Sequence, residues 1–163
     1  MSLMPADKLR TPVVIASDHA GFELKSWLVQ SLTSKGEHEP WRLIDLGTNS
    51  PEPDDYPDRA IAVGRAIQGG VAGKGILICG SGVGASVAVN KIDGIRAGLC
   101  HDSYSAHQGV EHDDMNVLVL GAWVVSTRLA NELARFFLNA IFSAEDRHVR
   151  RLAKITLIEK GLL

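Results

Sequence analysis

The sequence predicts an open, doubly wound α/β domain, a parallel sheet with helices on both faces, and three observations predict it. Short β-branched runs alternate with longer amphipathic stretches along the chain. The runs hold four or five apolar residues with no polar alternation, the pattern of strands covered on both faces. The 163 residues, 45% of them hydrophobic, suit one domain with a full core.

Each element follows in order. Val13 to Ala16 reads as a buried strand. Gly21 to Leu32 reads as a helix with Phe22, Leu24, Trp27 and Leu28 largely inward. Arg42 to Leu46 is a second strand, followed by a polar, proline-marked loop from Gly47 to Asp55. Tyr56 to Gln68 is a helix with Pro57 in its first turn, where a missing N–H is harmless. Gly75 to Cys79 is the third strand, Val83 to Lys91 a helix, and Ile95 to Leu99 the fourth strand. Ser103 to Val110 is helical, Asn116 to Leu120 is the fifth strand, and Thr127 to Ile141 is a long helix. A last segment, residues 146–160, has no sixth strand to serve and is expected to pack as a tail helix on a partner subunit. Residues 1–11 are expected to form a partly disordered leader ahead of a single domain over 12–163.

Composition excludes several function classes. A net charge of −2 lacks the basic surplus that phosphate-backbone binding requires, so nucleic acid is not an expected partner. No apolar run nears the roughly 20 residues of a membrane span, and the first ten residues lack a signal-peptide core. The two cysteines, Cys79 and Cys100, form no C-x-x-C pair, which fits a reducing cytoplasm and argues against a disulfide framework. No histidine pair has H-E-x-x-H spacing, so no metal is expected.

Ligands of such sheets bind beyond the carboxyl ends of the strands. There the chain places Ser17-Asp18-His19, Gly47-Thr48, Cys79-Gly80-Ser81, Cys100-His101-Asp102 and Gly121. Gly80-Ser81-Gly82-Val83-Gly84 joins a strand to a helix, and backbone N–H groups there can converge on an anion. It lacks the Lys-Ser/Thr of a phosphate-binding Walker loop and follows the third strand, where the dinucleotide fingerprint would follow the first. By pattern alone it serves a tight turn or an anion site equally well. Cys79, abutting it, reads either as a small buried hydrophobe or as a thiolate able to take a proton from carbon. Ser81 is placed to hold an oxyanion. Cys100 has no glycine loop beside it and is read as structural. Asp18 is an ordinary helix cap or an acid–base group, and His112, just before the fifth strand, a solvated loop histidine or a general acid–base. Arg147, Arg150 and Arg151 form a solvated helix face or a phosphate clamp.

Taken together, these pieces resemble the ribose-5-phosphate isomerase type B family, which includes the galactose-6-phosphate isomerase subunits. The resemblance runs from Val13 to Ile158 through Ala16 to Phe22 (ASDHAGF), Asp45 to Thr48 (DLGT), Asp55-Tyr56-Pro57, Gly75 to Gly84 (GILICGSGVG), Ala88 to Lys91 (AVNK), Gly94 to Ala97 (GIRA), Asn116-Val117-Leu118 and Arg147-His148. It implies a Rossmann-like three-layer α/β/α fold with five parallel strands and an extra C-terminal helix. It also implies a homodimer, or a tetramer of such dimers, with two shared sites per dimer and no cofactor. By that resemblance Cys79 moves a proton between C1 and C2 through a cis-enediolate, which Ser81 and the amides of Gly80, Gly82 and Gly84 stabilise. Asp18 and His112 match the groups that open the sugar ring and move hydroxyl protons. His19, Arg147 and Arg151 match phosphate ligands, the arginines from one subunit and the rest from the other, and Tyr56 packs beside the sugar.

One departure bears on substrate. The family usually has Asn after the histidine, whereas this chain reads His112-Asp113-Asp114. A carboxylate at 113 cannot donate to a sugar oxygen, so Asp113 is a candidate substrate-contacting position. Ribose 5-phosphate is the first expected substrate, with a four-carbon erythrulose phosphate or a galactose or allose 6-phosphate as alternatives. A non-catalytic sugar-phosphate sensor is the rival of another class.

Overall fold

The structure, a computed structural model, describes residues 12–34 and 41–163; the expected leader, residues 1–11, lies outside them. Five strands form one parallel sheet: β1 (Val13–Ser17), β2 (Leu43–Asp45), β3 (Lys74–Cys79), β4 (Ala97–Leu99) and β5 (Val117–Gly121). Six helices accompany them: α1 (Phe22–Thr33), α2 (Tyr56–Gln68), α3 (Val83–Val89), α4 (Ser103–Asp113), α5 (Thr127–Asn139) and α6 (Asp146–Glu159). A short 3-10 turn, His19–Gly21, joins β1 to α1.

The sheet order is β2-β1-β3-β5-β4, all parallel. Alternate strand residues go to opposite faces. Ile15, Ile76, Ile78, Leu118 and Leu120 meet Leu24, Leu28, Leu133 and Phe137 of α1 and α5 on one side. Val14, Ala16, Leu77 and Val119 meet Ala60, Val63, Ala85 and Val89 of α2 and α3 on the other. Burial on both faces is why the strands are continuous apolar runs. The chain leaves β1 toward one edge of the sheet and β3 toward the other, so a crevice opens between their carboxyl ends, where such sheets bind ligands.

Several boundaries differ from expectation. Trp27 lies on the solvent side of α1, 38% exposed, because Leu24, Leu28 and Leu32 already fill the inward stripe. β4 begins at Ala97, since Ile95 and Arg96 lie in an irregular stretch after the turn over 91–94, with the Arg96 N–H bonded to Asn116 Oδ1. α4 runs three residues further, to Asp113, and ends on Asp114 in the left-handed region at φ 47°. His112 is therefore on the last turn of a helix, not in a loop.

Candidate active site

Backbone pairing puts the expected base beside the expected acid. Ser17 of β1 is in register with Ile78 of β3, and the Asp18 N–H donates to the Ile78 carbonyl at 3.2 Å. Asp18 thus stands next to Cys79 at the carboxyl edge, and Cys79 is in register with Gly121 of β5 on its other side. Cys79 is 5% exposed, and its Sγ accepts the Gly82 N–H at 3.1 Å, a donor placed where a thiolate's charge would sit. The Gly82 amide, expected among the donors to the enediolate, is directed at this sulfur. The second cysteine, Cys100, is buried on the other face, and burial followed by the Asp102 carboxylate pushes its thiol up to about 11. It stays protonated at neutral pH.

The glycine loop is shaped by close approaches. Gly82 has φ 84°, in the left-handed region, and a Cβ there would lie 2.5 Å from Leu99 Cδ1. A Cβ at Gly84 would lie 2.7 Å from the Tyr56 ring, so Tyr56 packs on bare backbone beside the loop. Trp123, absent from the sequence expectations, covers Gly80: a Cβ there would meet its ring at 2.6 Å, and the Trp123 N–H donates to the Gly80 carbonyl at 3.0 Å. Ser81 is exposed, and its Oγ accepts the Val83 N–H at 3.3 Å.

Asp18 caps the 3-10 turn through Gly21 N–H at 3.0 Å. Burial pushes its carboxyl above the usual range, an effect larger than the opposing pull of the Gly21 amide and His19. A carboxyl shifted that way exchanges protons more readily near neutrality. Both readings of Asp18, cap and acid–base group, are compatible with this geometry. His19 follows with its ring exposed, held by Asp54: the His19 N–H donates to Oδ1 at 2.7 Å. Sequence reasoning missed Asp54, and no local signal marks a contact across 35 positions.

The remaining expected residues form a second cluster elsewhere. His112 ends α4, and Val117 begins β5 only five positions later, at the amino edge of the sheet. Cys79 lies opposite Gly121, at the other end of the same strand. Four residues of strand separate those ends by roughly 13 Å. One chain therefore does not bring His112 to Cys79. The direction of α4, which leaves the carboxyl edge after β4 and returns to the amino edge, keeps them apart.

At that edge His112 stacks on His148 of α6, ring centroids 4.1 Å apart. Gln108 Nε2 lies 2.7 Å from His112 Nδ1, which holds the ring in place. His148 is 1% exposed, with Nδ1 2.8 Å from Ser143 Oγ. Burial first, then the neighbouring His112 and Arg147, lower its pKa. Arg147 and Arg151 are exposed, one turn apart on α6, and Arg147 Nε donates to Glu145 at 2.9 Å. Asp113 is exposed and lines a cavity of about 510 Å³ with Arg96, Met115 and Ile155, away from Cys79. Among the described residues no three His, Cys, Asp or Glu side chains gather as a metal site, and no helix is long and apolar enough to cross a membrane.

Comparison with known proteins agrees with this architecture. Residues 13–155 match the Ribose/Galactose Isomerase family. Ribose-5-phosphate isomerase B of Escherichia coli is 43% identical over 148 residues, 91% of this chain and 96% of that one. The structure of ribose-5-phosphate isomerase B from Clostridium thermocellum superposes with a TM-score of 0.86 at 41% identity, covering 93% of this chain and 99% of that one. Ribose-5-phosphate isomerase B from Mycoplasma genitalium, solved with bound ribulose 5-phosphate, superposes with a TM-score of 0.83 at 36% identity, over 93% and 98%. This chain, with its cysteine at the carboxyl edge and its glycine loop, belongs to the ribose/galactose isomerase family of sugar-phosphate aldose–ketose isomerases.

Proposed function

We propose that the protein interconverts ribose 5-phosphate and ribulose 5-phosphate, with each site built from two copies of the chain in a cytoplasmic homodimer. The observation that carries this reading is Cys79: a nearly buried thiol at the sheet switch point, facing one N–H donor, flanked by Asp18 and followed by Gly80 to Gly84. The Cys79 thiolate takes the proton from C2 of the open aldose. The C2–H electrons form the C1=C2 bond, and the C1 carbonyl becomes an oxyanion held by Ser81 and the amides of Gly80 and Gly84. The thiol returns the proton to C1 as the C1=C2 electrons move there, and the O2 proton passes through an acid–base group to the C1 oxyanion, giving the C2 ketone and the C1 hydroxyl. Asp18 and His112 handle the ring-opening and hydroxyl protons. His19, Arg147 and Arg151 hold the phosphate.

His112, Arg147 and Arg151 reach the site from a second copy. Their cluster sits at the opposite edge within one chain, and the apolar side chains of Val149, Ile155 and Ile158 on α6 are 48%, 43% and 63% exposed. Apolar side chains left exposed on a terminal helix are suited to burial against a partner.

The test is proton NMR in deuterated water with aldose and ketose phosphates of four, five and six carbons. Deuterium entering at C1 or C2 of the ribose and ribulose phosphates, with interconversion, supports the proposal. Exchange confined to a four- or six-carbon pair moves the substrate and keeps the chemistry. Silence across the panel leaves a sugar-phosphate sensor.

A further inference from the structure

We infer that Asp54, braced by Arg59, is a positioning residue that orients His19 toward the substrate's phosphate; this rests on the proposed role of His19. Asp54 meets His19 three times. The His19 backbone N–H donates to Oδ1 at 2.7 Å, the ring Nδ1 lies 3.3 Å from the same oxygen, and the Asp54 N–H is 3.2 Å from Nδ1. One residue thus occupies Nδ1 as either donor or acceptor, which fixes the ring plane and leaves Nε2 turned away from Asp54. With Nδ1 engaged by Asp54, Nε2 is the ring nitrogen left to meet a phosphate.

Asp54 is itself held. Its second oxygen is 3.3 Å from Arg59 Nε, and Arg59 Nη1 reaches the Leu46 carbonyl at 3.4 Å. Arg59 passes over Gly47 so closely that a Cβ there would lie 2.8 Å from Nη1. The start of this loop is clasped to β1: the Ser17 N–H donates to the Gly47 carbonyl and the Thr48 N–H to the Ser17 carbonyl, both at 2.7 Å. Asp45 accepts the Gly47 N–H at 2.9 Å and the buried Lys25 Nζ at 2.6 Å. The loop before α2 is therefore a platform built to hold Asp54 against the residue after Asp18.

The sign of one measurement separates positioning from charge. Removing a carboxylate near an anion site strengthens anion binding on Coulombic grounds alone. Positioning requires the opposite. Binding of inorganic phosphate to the full chain, followed by 31P NMR, should weaken about fivefold to tenfold in Asp54→Asn. His19→Asn should weaken it similarly, and the double variant no further, since both act through one imidazole. KM for the sugar phosphate should rise in step, with a much smaller change in kcat. Unchanged or tighter phosphate binding in a folded Asp54→Asn, or additive losses in the double variant, overturns the inference. If Asp54→Asn fails to fold, Asp54→Glu, which keeps the charge and moves it by one methylene, should bind phosphate more weakly than the native chain; equal binding overturns it too. The phosphate titration needs no turnover, so absence of isomerase activity would count against the proposed function alone.

Discussion

The carboxyl-edge cluster around Cys79 and the helical cluster around His112 are built in different ways. The first rests on backbone: strand register, a left-handed glycine, and rings laid on bare Cα atoms at Gly80 and Gly84. Its parts come from loops after β1, β2, β3 and β5, and a single chain completes it. The second rests on side chains of two helices, Gln108 on His112, His112 on His148 and His148 on Ser143, beside exposed arginines. It points its chemistry away from the chain that carries it. On the proposed reading, the fold of one chain supplies the base, the oxyanion donors and His19, whereas His112 and the two arginines come from another copy.

The largest effect should come from the first cluster. Cys79→Ala removes the proposed proton acceptor and should lower kcat by about 10³- to 10⁴-fold, with phosphate binding kept, as steady-state kinetics and 31P titration would show. A fall of less than tenfold would place the base elsewhere. Ser81→Ala removes one donor at the developing oxyanion and should lower kcat by about 10²-fold with little change in KM.

These two effects concern residues that the sequence made legible. The strands stood out as apolar runs, because burial on both faces leaves no polar alternation. The Cys79 loop stood out because its three glycines meet steric demands that other residues cannot. What stayed hidden was long-range. Asp54 touches His19 across 35 positions, and Trp123 reaches back to Gly80 from β5. His112 differs for another reason. The pattern ends its helix at Val110, three residues before Asp113, although a helix after a parallel strand returns to the amino edge. That rule needs only the order of elements, so the split between the clusters was available from the sequence.

The second cluster should respond in binding. Arg147→Ala with Arg151→Ala should raise KM about thirtyfold, the loss of charge-assisted contacts to a dianion, with kcat changing less. A kcat loss at constant KM would assign the arginines to chemistry. The smallest effect concerns His148. The fold favours its neutral form, so its contribution to stability is complete above the ordinary histidine value of 6.5 and is lost as pH falls through the lower folded value. Thermal unfolding of the native chain should move to lower temperature as pH falls from about 7 to about 5. His148→Phe, which does not titrate, should flatten that slope, and an unchanged slope would assign it to other groups.

The most direct test of the two-copy site mixes inactive chains. Cys79→Ala and His112→Ala chains, unfolded together and refolded, should reassort so that half the dimers are mixed. Each mixed dimer then holds one site with both substitutions and one intact site. The account predicts recovery of about a quarter of native activity, since about one site in four is then whole. If His112 acted on the Cys79 of its own chain, every site would lack one group, and mixed dimers verified by mass would show no recovery at all.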